Sequence, residues 1–240
     1  SEGRDRGAYL ARMQISMHAL LIITNLFMAV FLGPEANMSR YVILMGAGIA
    51  IGLSSTFFIF RLPDPVIDTS GRENTLFAAI RRGLKRPEFT FFVALAALVA
   101  LITGLANPFI VVYAKRIYEL PDNLVVLFLV VGNISAVSMG LLAHRLMDRL
   151  GAKSLYLIFL GILCLATMLI IGSPGLGRVG SLIFLGVLFF FYNFGLAGGM
   201  NSAQNYFYTI TNVNERLNLG LLNYVLSGSA GALGSLVGGV

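Results

Sequence analysis

The sequence predicts an all-α membrane protein, a polytopic transmembrane helix bundle with about seven spans. Seven stretches are long and apolar enough to cross a bilayer, and the basic residues between them alternate sides. The chain is 57% hydrophobic and 12% charged, whereas soluble domains carry about 25% charged residues. A helix needs roughly 20 apolar residues to cross a hydrocarbon core of about 30 Å. Strand-type alternation is absent, so helices rather than a β-barrel are expected to satisfy the backbone.

Polar residues, glycines and prolines separate the seven apolar runs. The runs cover about 15–32, 41–60, 89–114, 124–143, 154–172, 180–206 and 217 onward. A longer polar segment, 64–88, follows the second run. Within it, apolar and basic side chains fall on opposite faces of one helix. The apolar ones are Leu76, Phe77, Ile80 and Leu84, and the basic ones are Arg81, Arg82, Lys85 and Arg86. This pattern predicts a short amphipathic helix lying at the membrane surface.

The basic residues between the runs predict an orientation. Of the 17 lysines and arginines, Arg40, Lys115, Arg116 and Arg178 lie on one side of the predicted membrane and the rest on the other. Because cytoplasmic loops carry the excess of basic residues, residue 1 and the segment 62–88 are expected in the cytoplasm. We expect a plasma membrane, specifically a bacterial inner membrane. The net charge of +6 follows from this orientation and indicates no nucleic-acid partner.

Three features of the loops resemble the Major Facilitator Superfamily. The first is the amphipathic segment between the second and third spans, which is similar to the central loop joining two six-helix halves. The second is the turn HRLMDRLGAK at 144–153. It is similar to the family pattern G-x-x-x-D-R-x-G-x-[KR], with His144 in place of the first glycine. The third is the Asn214-Glu215-Arg216 turn before a glycine-rich helix.

The resemblance implies that the chain corresponds to helices five to eleven of a twelve-helix protein. Residues 1–61 would be the end of the N-terminal six-helix half, with two spans. Residues 62–88 would form the cytoplasmic central loop, and residues 89–240 a truncated C-terminal half with five spans. The missing helices of the same protein would then be partners of this chain, together with the lipid bilayer.

The turn pattern suggests a mechanical role. The resemblance implies a cytoplasmic gate formed by Asp148, Arg149, Gly151 and Lys153. A carboxylate at Asp148 can accept hydrogen bonds from a helix N-terminus and pair with a nearby arginine. Gly151 permits a sharp reversal of the chain. Such a lock holds one conformation and opens in another. The alternative is a short charged loop whose basic residues only set the orientation of the protein in the membrane.

No Asp or Glu lies within the predicted spans, although intramembrane acids are the usual proton or cation handles. If the protein couples to protons, the acid is expected in the missing helices, or His18, about one turn into the first span, is the possible proton handle. Imidazole exchanges protons near neutral pH. The alternative is an interfacial histidine near the cytoplasmic surface. One cysteine and two histidines form no metal-ligand pattern, so neither a metal nor a cofactor is expected.

Side-chain amides are the other polar groups of the spans. The candidate substrate-pathway residues are Asn25, Asn107, Asn133, Asn193, Asn201, Gln204, Asn205 and Asn223. An amide in hydrocarbon is costly unless it is hydrogen-bonded, so each should face another helix or a water-filled cavity. Holding helices together is the alternative role. Gly195, Gly198 and Gly199 follow Tyr192 in the sixth span, and they predict a break in the helix that would line a cavity.

Small residues at four-residue spacing in the seventh span predict a face for close helix packing. The pairs are Ser227/Gly231 and Gly234/Gly238. The resemblance implies that the partner of this face is a helix from the missing half of the protein.

The resemblance implies secondary active or facilitative transport of a small solute by alternating access, possibly coupled to H+ or Na+. The lack of acids within the spans favours a neutral or weakly charged substrate, such as a sugar, a nucleoside or a hydrophobic drug. The alternative function is a non-transport membrane scaffold, assembly factor or receptor on the same fold. The spans contain no catalytic constellation, so an enzyme is not expected.

Overall fold

A computed structural model describes residues 2–34, 37–61, 76–171 and 177–238, without the side chains at 2–11, 59, 108, 114, 143, 144, 148, 171 and 178. Eight helices account for most of these residues. They are α1 (Glu2–Leu32), α2 (Met38–Ile59), α3 (Leu76–Leu84), α4 (Pro87–Ile117), α5 (Asp122–Leu150), α6 (Ala152–Ile171), α7 (Arg178–Ile210) and α8 (Arg216–Gly238).

All of these helices except α3 are long and apolar enough to cross a membrane, which confirms the prediction of about seven spans. α3 coincides with the predicted amphipathic helix. Large apolar side chains remain exposed along the spans, as expected of helices whose outer surface meets lipid rather than water.

The long helices pair in a defined pattern. α1 packs along α5, α5 along α7, α7 along α6, and α4 along α8. Consecutive spans run in opposite directions, so α3, the α5–α6 turn and the start of α8 lie on one side of the bundle. We call this side the α3 side. α2 contacts α1, and its span is almost entirely exposed.

The predicted break in the sixth span is wrong, because α7 is one uninterrupted helix from Arg178 to Ile210. A glycine inside a helix costs only about 0.5–1 kcal/mol relative to alanine, and broken backbone bonds in hydrocarbon cost more. The glycines instead let α6 approach closely. A methyl group at Gly195 would lie 2.8 Å from the backbone nitrogen of Leu163, and one at Gly198 would lie 2.5 Å from the ring of Phe159.

The small residues of α8 pack against α4, not against a helix outside this chain, so the implied partner from the missing half is wrong for this face. A methyl group at Gly234 would collide with the carbonyl oxygen of Leu101, and one at Gly238 would collide with the ring of Phe109. The Ser235 hydroxyl of the same helix donates to the carbonyl of Gly104 at 3.0 Å. Two glycine-lined seams, α4–α8 and α6–α7, therefore bring helix backbones close together.

Two tight turns depend on glycine in a left-handed conformation. Gly33 ends α1 with φ of 69°, and the Arg40 guanidinium donates from Nη1 to the carbonyl of Leu32 at 2.7 Å. Gly151 stands alone between α5 and α6 with φ of 75°, and its N–H donates to the Met147 carbonyl at 3.1 Å. The positive φ at Gly151 confirms the predicted reason for a glycine in this turn.

We expect Gly234→Ala to lower the free energy of unfolding by about 1–3 kcal/mol, because the added methyl group collides with the backbone of α4. Gly228→Ala is the matched control on the same helix, since a methyl group there meets open space and alanine favours the helix. Thermal unfolding of the detergent-solubilised protein measures both variants. Equal midpoints for the two would contradict the packing of α8 on α4.

Candidate functional site

The sequence candidates His18 and Asn133 are brought together across the α1–α5 contact. The Nδ1 atom of His18 lies 2.9 Å from Oδ1 of Asn133, in a partly buried position. The amide of Asn133 also donates from Nδ2 to the Leu129 carbonyl at 2.8 Å. Since this second bond fixes which end of the amide faces α1, Oδ1 is the acceptor and Nδ1 of His18 must carry the hydrogen.

Asn193 lies at the neighbouring contact between α5 and α7. A methyl group at Gly132 would lie 2.6 Å from Nδ2 of Asn193, so the glycine leaves the space that the amide fills. That nitrogen donates to the Phe189 carbonyl at 2.8 Å. One turn away from Gly132, the Ser135 hydroxyl donates to the Phe190 carbonyl of α7 at 2.6 Å. Polar groups therefore connect α7 to the helix that holds Asn133.

Tyr192 links α7 to α4. Its ring is 5% exposed, and its hydroxyl donates to Oδ1 of Asn107. Because Tyr192 and Asn193 are consecutive, they point to different neighbours of α7. One reaches α4 and the other reaches α5.

These contacts define a mid-helix polar layer. It consists of His18, Asn107, Asn133, Tyr192 and Asn193, from four helices, and each lies well inside its span. The layer offers amide, hydroxyl and imidazole groups and contains no carboxylate or guanidinium. It can exchange hydrogen bonds with a polar solute, but it is not built to clamp a strongly ionic one.

The remaining candidate pathway residues lie outside this layer. Asn201, Gln204 and Asn205 are partly buried on α7, and the separation between residues 193 and 201 corresponds to about 12 Å along a helix. Asn205 satisfies its Nδ2 within its own helix, at 2.9 Å from the Asn201 carbonyl. The predicted amide cluster on α7 is therefore divided into two groups.

Two further candidates lie on other helices. Asn25 is partly buried on α1. Asn223, on α8, has a buried Oδ1 without a hydrogen-bond partner among the described residues, and the Ser227 hydroxyl one turn later shares this property. Neither candidate is joined to the polar layer by a hydrogen bond among the described residues.

The predicted gate lies at the α5–α6 turn on the α3 side. Arg149 and Lys153 are exposed there, on either side of Gly151. The Asp148 side chain lies outside the described part of the chain. The geometry of Gly151 therefore accounts for the sharp turn, and the role of the charged residues stays a prediction.

Glu215 is a buried acid that the sequence did not single out as a site residue. It is 5% exposed and lies immediately before α8. Its carboxylate lies 3.0 Å from Nη2 of Arg86 and 3.8 Å from Nε of Arg82. Its carbonyl accepts from the Leu219 N–H at 2.9 Å. The sequence signal was an acid at a helix start, where it also favours the helix dipole.

Among the described residues, no three His, Cys, Asp or Glu side chains come together in a way that could hold a metal ion. The fold and the polar layer define a polytopic helix-bundle membrane protein whose spans meet at hydrogen-bonding groups rather than at charges.

Residues 1–238 match the family model of the Major Facilitator Superfamily, and the chain belongs to this family. The resemblance seen in the loops is thereby confirmed. Membership implies transmembrane transport of small solutes, and the members are transporters rather than enzymes. No curated protein and no solved structure gives a significant match to the chain.

A double-mutant cycle on Tyr192→Phe and Asn107→Leu should give a coupling energy of about 0.6 kcal/mol and at most about 1.7 kcal/mol, because their hydrogen bond joins two helices. Tyr192→Phe combined with Asn205→Leu is the control, since Asn205 bonds within α7 and the two effects should add. Unfolding titrations in mixed micelles measure the four states of each cycle. Equal coupling in both cycles would show that the α4–α7 bond contributes nothing.

Proposed function

We propose that the protein transports a small neutral or weakly charged solute by alternating access, with the mid-helix polar layer as part of the solute site. The observation that carries this proposal is that uncharged polar groups make three contacts between spans, namely His18–Asn133, Gly132–Asn193 and Tyr192–Asn107. Amides, a hydroxyl and an imidazole recognise the hydroxyl and carbonyl groups of an uncharged solute.

The hydrogen bonds of the polar layer are weak enough to be exchanged for bonds to a solute. Hydrogen bonds between membrane helices contribute about 0.6 kcal/mol on average. A solute that offers equivalent donors and acceptors can therefore replace the His18–Asn133 or Tyr192–Asn107 bond at little cost. In the two glycine seams, backbone or ring atoms fill the space beside the glycines, and the Ser235 bond to Gly104 adds to the α4–α8 contact. We therefore expect α4–α8 and α6–α7 to move as pairs.

The helix contacts also bear on how the chain divides into two halves. We propose that α1 and α2 belong to an N-terminal half and α4 to α8 to a C-terminal half, with residues 62–88 as the central loop between them. The α1–α5 contact then lies between the two halves, and the His18–Asn133 bond crosses it. A rocking motion of one half against the other would break this bond first.

We further propose that the coupling ion is H+ and that His18 carries it. The bond to Asn133 uses the Nδ1–H of His18, which leaves the lone pair on Nε2 as the place where a proton arrives. Protonation therefore adds a charge to the layer without breaking the bond to α5. Glu88 and Asp122 stand at the ends of their spans, and no carboxylate lies deeper in the seven spans. This disfavours Na+ binding within them, because hard cations prefer charged oxygen ligands.

The positive-inside rule supports a plasma-membrane orientation with the α3 side in the cytoplasm, and we propose a bacterial inner membrane as the location. The α5–α6 turn would then be a cytoplasmic gate. The single-residue turn at Gly151 holds the ends of α5 and α6 together, and this supports a gate in which Asp148, Arg149 and Lys153 act at one point.

The transport proposal is tested with the intact protein in proteoliposomes, by counterflow of a panel of radiolabelled sugars and nucleosides. At least one neutral solute should show protein-dependent counterflow. Asn193→Leu should lower its rate about tenfold, the equivalent of one lost hydrogen bond. Asn212→Leu, at an exposed turn, should retain the wild-type rate. Counterflow confined to strongly ionic solutes added to the panel would reject the neutral-solute site while leaving transport standing. No counterflow of any solute would reject transport and favour a non-transport scaffold.

His18→Gln tests the coupling ion separately. Glutamine can still donate to Asn133 but cannot take up a proton, so counterflow should persist while accumulation driven by a pH gradient is lost. His144→Gln changes the second of the two histidines and serves as the control. Accumulation by His18→Gln at the wild-type level would exclude His18 as the proton carrier and leave alternating access standing.

Asp148→Asn tests the gate. This change removes the negative charge at the α5–α6 turn and should shift the balance between inward-open and outward-open states without affecting membrane insertion. Cysteine accessibility on the two faces measures the balance. Unchanged accessibility together with normal uptake would show that the turn is not a gate. It would then be a charged loop that only sets the orientation of the protein in the membrane.

A further inference from the structure

α3 exposes a face on which apolar and basic side chains alternate. Phe77, Arg81 and Leu84 follow the spacing i, i+4 and i+7, so they share one side of the helix. Lys85 comes directly after α3, in a turn where its N–H donates to the Arg82 carbonyl at 3.3 Å, and it continues the same spacing at i+8. Phe77 is 82% exposed and Leu84 is 47% exposed. We call these four residues the outer face of α3.

The opposite face of α3 is already occupied. Ala79 is fully buried, and a methyl group at Gly83 would lie 2.5 Å from Cδ2 of Leu219. Arg82 and Arg86 lie against the carboxylate of Glu215. The basic residues in and just after α3 are thus divided between two surroundings.

The two groups of basic residues have different surroundings. Arg82 and Arg86 share the negative charge of Glu215, whereas Arg81 and Lys85 form no ion pair among the described residues. The nearest acid along the chain is Glu88, which is exposed in the first turn of α4. Within the described ranges, the positive charge of the outer face is therefore not paired with an acid.

The position of α3 places this face at the edge of the membrane. α3 packs against Leu219 in the first turn of α8 and lies beside Phe89 in the first turn of α4. Both residues are at the beginning of predicted spans. Lipid headgroups lie at this level, just outside the hydrocarbon core.

We propose that the outer face of α3 binds anionic phospholipids. Arg81 and Lys85 attract the headgroups, and Phe77 and Leu84 insert at the boundary with the acyl chains. Basic residues near an anionic membrane surface are attracted to its headgroups, and exposed aromatic and aliphatic side chains add the apolar part of the binding. This inference rests on α3 alone and does not depend on the transported solute.

The absence of tryptophan from the chain provides a clean reporter, because Phe77→Trp introduces the single tryptophan of the protein. The variant is placed in nanodiscs of equal parts phosphatidylglycerol and phosphatidylcholine, with bromine on the acyl chains of one lipid at a time. Quenching by brominated phosphatidylglycerol should exceed quenching by brominated phosphatidylcholine about twofold at low salt. The difference should shrink in 1 M salt, where the screening length is about 3 Å.

Matched variants separate charge from folding. Arg81→Gln with Lys85→Gln should equalise the two quenching values, and Arg81→Lys with Lys85→Arg, which keeps both charges, should preserve the difference. Leu84→Trp is a second reporter on the same face. Equal quenching by the two lipids in the parent reporters would overturn the headgroup preference. An absence of quenching in both would show that the face meets water or protein.

Discussion

Helices surrounded by lipid gain little from burying apolar side chains against one another, because the lipid tails are as apolar as leucine. Association therefore depends on close backbone packing and on hydrogen bonds between helices. Both are present here, mostly at different contacts. Gly195 and Gly198 bring α6 and α7 together, and Gly234 does the same for α4 and α8. Side-chain hydrogen bonds join α1 to α5, α5 to α7, and α4 to α7, and Ser235 adds one to the α4–α8 seam.

The two kinds of contact should respond differently when helices move relative to one another. A shift of one helix along a glycine seam would place a larger side chain where only a glycine fits against the neighbouring backbone. Neutral hydrogen bonds can be exchanged for others of similar strength, with a solute or with water. A family whose members transport solutes needs both kinds of contact, because rigid elements have to move relative to one another around a fixed site.

Charge is kept at the ends of the spans, where water and headgroups can solvate it. The exception in the described part of the chain is Glu215, whose carboxylate is buried beneath two arginines that are themselves partly exposed. A buried carboxylate without partners would be costly, so this ion pair ties α3 to the start of α8. The same arrangement leaves Arg81 and Lys85 to act on the membrane surface.

The limits of the sequence are visible in particular residues. The amides, His18 and Gly151 were identified because a polar group in hydrocarbon and a glycine in a short turn are local anomalies. The sequence did not identify Glu215 as a site residue, because its burial depends on the packing of α3 against the start of α8. The glycines of α7 were misread because a helix break and a close-packed seam have the same composition.

The sequence by itself determined the spans, their alternating directions and the amphipathic α3, because hydropathy and charge along the chain are local properties that the bilayer selects directly. Only the tertiary structure decided that α8 pairs with α4, that His18 bonds to Asn133, and that Tyr192 bonds to Asn107. These partners depend on the complementary shapes of helix faces distant in the sequence, and one apolar face resembles another until it is packed.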